Sequence, residues 1–237
     1  GLTREQDIES VSLASADQAG FVFAPSRRRL SILQAATLIK QLPASIEPVG
    51  VFADAEPSLI IEAIEKAGIQ IVQLHGSETD VYIRLLRRLL PTGIKIWKSH
   101  SFAVMPDKYI DQTQSSCISE DTSDIRRRHD KAPNQPQTVF SLNDVRADGL
   151  PDAWLLDSKT GSQSGGTGRP FDWSEAAESL PYGKIILAGG INIDNVREAM
   201  MILKPDGVDC SSGVETGGSK DRKRIIEFCD FVRSINY

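Results

Sequence analysis

The sequence predicts an α/β protein of the (βα)8, or TIM-barrel, class, and three observations lead to that prediction. Short apolar segments alternate strictly with amphipathic segments, and a helical segment comes first. Strands that are apolar along their whole length are typical of a parallel sheet covered on both faces. Strict strand–helix alternation predicts helical crossovers between parallel strands, and eight such units close into a barrel.

The predicted strands are rich in β-branched and aromatic residues. They lie at residues 19–24, 49–53, 71–76, 94–100, 152–158, 185–191 and 207–213. A barrel needs one more strand ahead of the first helix. We therefore expect residues 1–2 to end a first strand and turn whose strand precedes the given sequence. A doubly wound open sheet is the alternative, but no G-x-G-x-x-G turn follows the first strand candidate.

The predicted helices have apolar residues at helical spacing. They lie at residues 3–15, 31–41, 57–67, 78–89, 141–148, 172–179, 193–203 and 220–235, the fifth of them with a weak pattern. In the first helix we expect Thr3 to be the N-cap and Gln6 to complete a capping box. Glu5 and Asp7 would add favourable negative charge to the first turn.

Residues 106–150 interrupt the alternation with a long polar stretch that has no sustained period. We expect one domain over 1–237, with 106–150 as a solvated, partly disordered insertion. The basic run at 126–128, followed by His129, could instead dock a partner. Acidic neighbours, however, largely offset its charge.

Composition excludes several classes of function. A formal charge of −5 argues against a general nucleic-acid binder. No apolar run is long enough for a membrane span, and no signal peptide is visible. Three widely spaced cysteines indicate reduced thiols and a cytoplasmic protein, and no side chains have metal-ligand spacing. We therefore expect a small-molecule partner, and leave open whether the protein is a monomer or a homodimer.

In a barrel of this kind, polar residues that follow the strands form the site. Asp157 ends an apolar strand and precedes a loop rich in Gly, Ser and Thr. Desolvation at the mouth of an apolar barrel favours the protonated form of a carboxyl, which suits a general acid. The alternative is that Asp157 only caps a turn.

Two consecutive late strands end in turns suited to an anion. Gly189 and Gly190 precede a helix, and Ser211, Ser212 and Gly213 end the next strand. Small residues let backbone N–H groups approach an anion, and the loops after the last two strands often bind phosphate in this fold. Together they predict a phosphorylated substrate, although either could be an ordinary tight turn.

Two further strand ends carry basic or titratable side chains. Arg27, Arg28 and Arg29 follow the first strand candidate, and we expect only one of them to point inward. Arginine is suited to gripping a carboxylate with two parallel hydrogen bonds. His75 ends the third candidate and is equally compatible with a structural hydrogen bond or a substrate contact.

The motifs VGVFA, VQLHGSE, LLDS, GGTGRPFDW, LAGGI and GVDCSSGVE follow one another in this order. In this order and spacing they resemble the phosphoribosylanthranilate isomerase family of tryptophan biosynthesis. The resemblance covers nearly the whole chain except about 106–150. Another phosphosugar isomerase or epimerase would share the phosphate turns, but GGTGRPFDW and VQLHG argue against it.

The resemblance implies a cofactor-free Amadori rearrangement of N-(5-phosphoribosyl)anthranilate to 1-(2-carboxyphenylamino)-1-deoxyribulose 5-phosphate. It implies that Asp157 is the general acid and that Arg28, or else Arg29, grips the anthranilate carboxylate. The phosphate would lie at the glycine and serine turns, and Asp209 would contact a ribose hydroxyl.

One feature of the family is absent from the sequence. The family's cysteine base stands directly before the glycine that aligns with Gly1, and none of Cys117, Cys210 and Cys229 is in a position to replace it. We expect the first residues to be missing, and the chain as given to be poorly stable and weak in proton transfer. The alternative is an inactive barrel that binds the ligand without turnover.

Overall fold

The computed structural model describes residues 1–101, 150–157, 173–177 and 180–236. Within them, seven strands form one parallel sheet in chain order. The strands are β1 (Gln18–Val22), β2 (Glu47–Phe52), β3 (Ile71–Leu74), β4 (Lys95–Ser101), β5 (Ala153–Asp157), β6 (Ile185–Ala188) and β7 (Gly207–Val208). The parallel α/β sheet predicted from the apolar segments is therefore confirmed.

Among the described residues, helices alternate with the strands as predicted, apart from the connection between β4 and β5, which lies outside them. The helices are α1 (Glu5–Leu13), α2 (Ile32–Ile39), α3 (Pro57–Ala67), α4 (Asp80–Leu89), α5 (Trp173–Ala177), α6 (Val196–Leu203) and α7 (Arg222–Arg233). The predicted helix at 141–148 and almost all of the predicted insertion at 106–150 lie outside the described residues. None of the helices described is long and apolar enough to cross a lipid bilayer.

The end of the last predicted strand differs from the prediction. The segment at 207–213 leaves the sheet after Val208 and turns into a short 3-10 helix, Ser212–Val214. A hairpin follows, formed by β8 (Glu215–Thr216) and β9 (Ser219–Lys220). Gly217 and Gly218 form its turn with positive φ values of 60° and 79°, a conformation that glycine adopts without strain.

The predicted start of the first helix is wrong. Thr3 is not the N-cap, and Gln6 does not complete the capping box. Instead, the carboxylate of Asp7 accepts the backbone N–H groups at the start of the helix. Asp7 Oδ2 accepts the backbone N–H groups of Thr3 at 2.9 Å and Arg4 at 3.0 Å. Its Oδ1 accepts Arg4 Nη2 at 2.7 Å, so the buried carboxylate is fully paired and α1 begins at Glu5.

The two ends of the chain meet beside β1. Helix α1 packs against α7, and Arg233 Nη1 donates to the carbonyl oxygen of Ala14 at 2.8 Å. Leu2 is buried, and its N–H donates to the carbonyl oxygen of Gly20 in β1 at 2.8 Å. Residues 1–2 therefore lie along the edge of the sheet, beside β1.

The sheet has an apolar layer on each face. Outward-facing side chains such as Phe21, Leu74 and Leu187 are fully buried in a large cluster with the helices. On the inner face a smaller cluster is formed by Val49, Ile71, Trp97 and Ala153. Burial on both faces is the reason that the strands read as continuous apolar runs.

We predict that Asp7→Ala lowers the free energy of unfolding by about 0.5–2 kcal/mol, because two N–H groups at the start of α1 lose their acceptor. Urea unfolding followed by circular dichroism measures the change. Gln6→Ala, in the same turn, is the matched control and should be nearly neutral. Equal losses in the two variants would contradict the assignment of Asp7 as the capping group.

Candidate active site

Strand register places the predicted site residues at one edge of the sheet. Asp157 pairs with Ala188, so Gly189 lies one residue beyond the level of Asp157. The N–H of Asp209 donates to the carbonyl oxygen of Leu187 at 2.7 Å, which sets Asp209 at the same height on the next strand position. Asp157 and the starts of both predicted phosphate turns therefore share the carboxyl edge.

Asp157 is buried and pairs with His75. His75 Nε2 lies 3.2 Å from Asp157 Oδ2, although β4 separates the two strands that carry these residues. Both side chains project from the inner face, so the curl of the sheet brings them together. Gln73 Nε2 lies 3.3 Å from His75 Nδ1. With the amide in this orientation, Nδ1 is the acceptor and Nε2 carries the proton toward Asp157.

A buried charge network fixes the turn that carries His75. The Glu78 side chain is 2% exposed, and its Oε2 accepts both Lys98 Nζ and the N–H of Gly76 at 3.0 Å. Its Oε1 accepts the N–H of Asp54 at 2.8 Å, and Lys98 Nζ also donates to the Gly76 carbonyl oxygen at 2.6 Å. The network ties the turns after β2 and β3 to β4.

Asp54 completes this arrangement from the turn after β2. Its Oδ1 accepts both the hydroxyl and the N–H of Ser77 at 2.7 Å, and these hydrogen bonds lower the pKa of Asp54. A Cβ at Gly76 would lie 2.6 Å from Asp54 Oδ1, so only glycine allows the two turns to approach this closely. The turn that presents His75 is thus held from both sides.

The two predicted phosphate turns touch each other. Gly189 and Gly190 both have φ of 71°, and Asn195 Nδ2 donates to the Gly190 carbonyl oxygen at 3.2 Å. A Cβ at Gly213 would lie 2.2 Å from the Ile191 carbonyl oxygen. The absence of a side chain at Gly213 is therefore what lets the turn after β7 pack onto the turn after β6.

Of the three arginines after β1, Arg28 is partly buried while Arg27 and Arg29 are exposed. Arg28 Nη2 forms an ion pair with Glu215, and Arg27 Nη2 lies 2.8 Å from the other oxygen of the same carboxylate. Arg28 therefore lies between the first strand and the hairpin after β7. Its role in holding a substrate carboxylate stays a prediction.

Cys210 and Cys229 are free thiols with raised pKa values. Burial, followed by the nearby Asp209 carboxylate, raises the pKa of Cys210 to about 12, and its Sγ contacts the Ile191 carbonyl oxygen at 3.1 Å. Burial also raises the pKa of Cys229 on α7. Since the thiolate is the reactive form, neither thiol is a ready base at neutral pH.

Sequence reasoning missed four charged residues around this edge: Glu78, Lys98, Glu215 and Lys220. The Gly-Gly pair in ETGGSK was a usable hairpin signal for the last two. No such signal existed for Lys98, because a lysine in a strand usually indicates a solvent-facing position.

Comparison with known proteins agrees with this geometry. A sheet of parallel strands with its polar residues at the carboxyl edge is the arrangement of (βα)8-barrel enzymes. The model of the N-(5′phosphoribosyl)anthranilate (PRA) isomerase family matches residues 1–122 and 120–231. The chain belongs to this family, which confirms the resemblance seen in its motifs and argues against a different phosphosugar family.

Individual relatives match over almost their whole length. N-(5′-phosphoribosyl)anthranilate isomerase of Acetivibrio thermocellus is 37% identical over 241 residues, covering 100% of this chain and 94% of the relative. The crystal structure of TrpF from Jonesia denitrificans has a TM-score of 0.70 at 28% identity, covering 99% of this chain and 94% of that one. The TIM-barrel prediction is thereby confirmed.

A further solved relative contains a ligand. It is a phosphoribosyl anthranilate isomerase in complex with reduced 1-(o-carboxyphenylamino)-1-deoxyribulose 5-phosphate. Its TM-score is 0.65 at 25% identity, and the match covers 98% of this chain and 95% of that one.

We predict that Lys98→Met lowers the free energy of unfolding by about 3–5 kcal/mol, because it leaves the Glu78 carboxylate buried without its cation. Lys95→Met is the matched control. Lys95 pairs with Glu47 at 2.6 Å but is half exposed, so its loss should cost about 0–1 kcal/mol. Chemical unfolding of both variants compares them, and a Lys98 variant as stable as the control would contradict the network.

We predict that Gly213→Ala displaces the turn after β7 and weakens binding of inorganic phosphate, because the new methyl group would collide with the Ile191 carbonyl oxygen. Gly20→Ala is the control, since a Cβ there meets nothing within 4 Å. Isothermal titration calorimetry measures both variants. Unchanged phosphate affinity in the Gly213 variant would show that the two turns do not form one anion site.

Proposed function

We propose that this protein isomerises N-(5-phosphoribosyl)anthranilate to 1-(2-carboxyphenylamino)-1-deoxyribulose 5-phosphate in tryptophan biosynthesis. The observation that supports this proposal most directly is that the paired Asp157 and His75 lie at the same edge of the sheet as the two glycine and serine turns, which contact each other. Family membership supports the same assignment. Unpaired cysteines among the described residues accord with a place in the cytoplasm.

The substrate phosphate is assigned to the turns after β6 and β7. Backbone N–H groups near Gly189, Gly190, Ser211, Ser212 and Gly213 are the proposed donors. The three contributing serine and glycine residues of the second turn present little side-chain bulk, so an anion can reach the backbone. Contact between the two turns would keep their N–H groups at a fixed separation.

The other end of the substrate is assigned to basic and acidic side chains nearby. Arg28 is proposed to hold the anthranilate carboxylate, because a guanidinium matches a carboxylate with two parallel hydrogen bonds. Asp209 is proposed to accept a hydrogen bond from a ribose hydroxyl. It is exposed at the carboxyl edge and lies one residue beyond β7.

The proposed chemistry begins with Asp157. Its carboxyl gives a proton to the ribose ring oxygen, the bond from C1 to that oxygen breaks, and the lone pair of the aryl nitrogen forms an iminium. Loss of the proton from C2 then gives a neutral enolamine with a hydroxyl group on C2. Addition of a proton at C1 and loss of the proton from that hydroxyl group give the ketone. The steps move protons and electron pairs within the substrate without net oxidation.

His75 is proposed to orient Asp157 and to contact the bound substrate. Its Nε2–H points at the carboxylate when Asp157 is ionised, so the imidazole stabilises that state after proton transfer to the substrate. The base that removes the C2 proton is not identified among the described residues.

We predict that Asp157→Asn lowers kcat by about 10²–10⁴-fold, the usual effect of losing one general acid. Decay of the fluorescence of the anthranilate substrate follows the reaction. Cys210→Ser is the matched control and should retain activity, since that thiol is buried with a pKa of about 12. Undiminished turnover of the asparagine variant would refute the assigned acid, and substrate binding without turnover in the unaltered protein would favour a non-catalytic barrel.

A further inference from the structure

Glu215 is the meeting point of three cationic side chains. Its own side chain is only 6% exposed, and its Oε1 accepts Arg28 Nη2 and lies 3.3 Å from Lys220 Nζ. Its Oε2 lies 2.8 Å from Arg27 Nη2. One buried carboxylate thus holds two consecutive arginines of the loop after β1 and a lysine from the last hairpin.

Lys220 extends this contact to the proposed phosphate turn. Its side chain is 5% exposed, and Nζ donates to the Ser211 carbonyl oxygen at 2.6 Å. The carbonyl oxygen of Lys220 in turn accepts Arg4 Nη2 at 2.8 Å. Both the head group and the backbone of Lys220 are therefore fixed, one against Ser211 and the other against the start of α1.

The hairpin geometry makes this link short and stiff. Glu215 and Lys220 are directly opposed in the antiparallel pair of β8 and β9. Directly opposed residues of this kind have neighbouring side chains. The hairpin therefore spans from the turn at Ser211 to the loop that carries Arg28 through two side chains in contact.

The cluster formed by Glu215 and its three cationic partners has an excess of positive charge, which suits it to binding anions. Arg27, Arg28 and Lys220 carry three positive charges against the single negative charge of Glu215, which leaves an excess of two. Burial opposes ionisation of Glu215, but Lys220 and Arg28 outweigh it and hold its pKa below the ordinary value. The carboxylate is therefore ionised at neutral pH and orients the cations without cancelling them.

We infer that Glu215 is a positioning residue that sets the distance between the carboxylate-binding and phosphate-binding halves of the site. It acts through Arg28 on one side and through Lys220 and Ser211 on the other, and it does not touch the substrate. The inference rests on the proposed function, because it requires a substrate with an anion at each end. Recognition of both anions then depends on a single buried carboxylate.

Glu215→Gln tests this with little change in shape. The amide removes the counter-charge shared by three cations, so Arg28 and Lys220 should move apart. A displacement of about 1 Å in a binding group can cost about 10²-fold in catalytic efficiency. We expect KM to rise by that order while kcat falls much less, since the proton-transfer groups are untouched.

The matched control is Glu47→Gln. Glu47 also pairs with a lysine, Lys95 at 2.6 Å, but at the start of β2 and so at the opposite edge of the sheet. It should leave KM and kcat unchanged. Glu215→Asp keeps the charge with a shorter reach, so its KM should lie between those of the unaltered protein and the glutamine variant.

Binding measurements separate the positioning role from the reaction. Calorimetry with reduced 1-(o-carboxyphenylamino)-1-deoxyribulose 5-phosphate should show weaker binding to the Glu215→Gln variant. In an Arg28→Met background the same change should cost clearly less, because part of its effect passes through Arg28. Equal costs in both backgrounds, or a folded Glu215→Gln variant with unchanged affinity, would overturn the inference.

The outcomes distinguish this inference from the proposed function. Tight analogue binding by the unaltered protein without turnover would remove the isomerase assignment, yet the affinity comparison would still test Glu215. Normal turnover with unchanged KM in the Glu215→Gln variant would remove the role of Glu215 alone. If the Glu215→Gln variant does not fold, the Glu215→Asp variant tests the inference instead. An unchanged KM in that variant would contradict the positioning role of Glu215.

Discussion

The parallel register of β5, β6 and the chain after β7 is the constraint on which the candidate site depends. Pairing of Asp157 with Ala188, and the hydrogen bond from Asp209 to Leu187, bring three consecutive strand ends to one height. Side chains alternate along a strand, so a slip of one residue would turn Asp157 from the inner face into the helical layer. The apolar residues on both faces prevent that slip, because it would place the Asp157 carboxylate among the apolar side chains under the helices and away from its partner His75.

Two charged networks fix the turns at the carboxyl edge of the sheet, one on each side of Asp157. Glu78 and Lys98 fix the turn that carries His75, and Glu215 and Lys220 fix the hairpin beside the phosphate turns. Buried charges of this kind contribute little net stability, since desolvation offsets most of their attraction. Their value lies in geometry, because an apolar replacement could fill the same volume without fixing where the backbone N–H groups point.

Much of the fold could be predicted from local patterns. The helix at 57–67 was predicted to the residue, because Pro57 suits the first helical position and Gly68 adopts φ of 78° at the C-cap. The cap of α1 was predicted wrongly. The N-cap is Arg4, an unfavourable residue type for that position, and it is held there by its pairing with Asp7 at the third helical position. The early end of β7 depends on contacts between Gly213 and Ile191 that are distant in sequence.

The residues of the candidate site also fall into two groups, those that could be predicted from local sequence and those that could not. Residues at the carboxyl ends of strands, such as Asp157 and His75, could be placed because the ends of parallel strands lie at one edge whatever the details of the loops. Glu215 and Lys98 could not be placed, because their importance comes from partners supplied by other turns. Local sequence indicates which edge carries function, while the residues that support it become visible only once the turns are packed.

The most direct measurement is a crystal structure of this protein with reduced 1-(o-carboxyphenylamino)-1-deoxyribulose 5-phosphate. We expect the phosphate against the turns at Gly190 and Ser212, the carboxylate at Arg28, and the deoxyribulose chain beside Asp157. A ligand bound away from the carboxyl edge, or with its phosphate on the side of Arg28 and its carboxylate at the glycine turns, would contradict this arrangement.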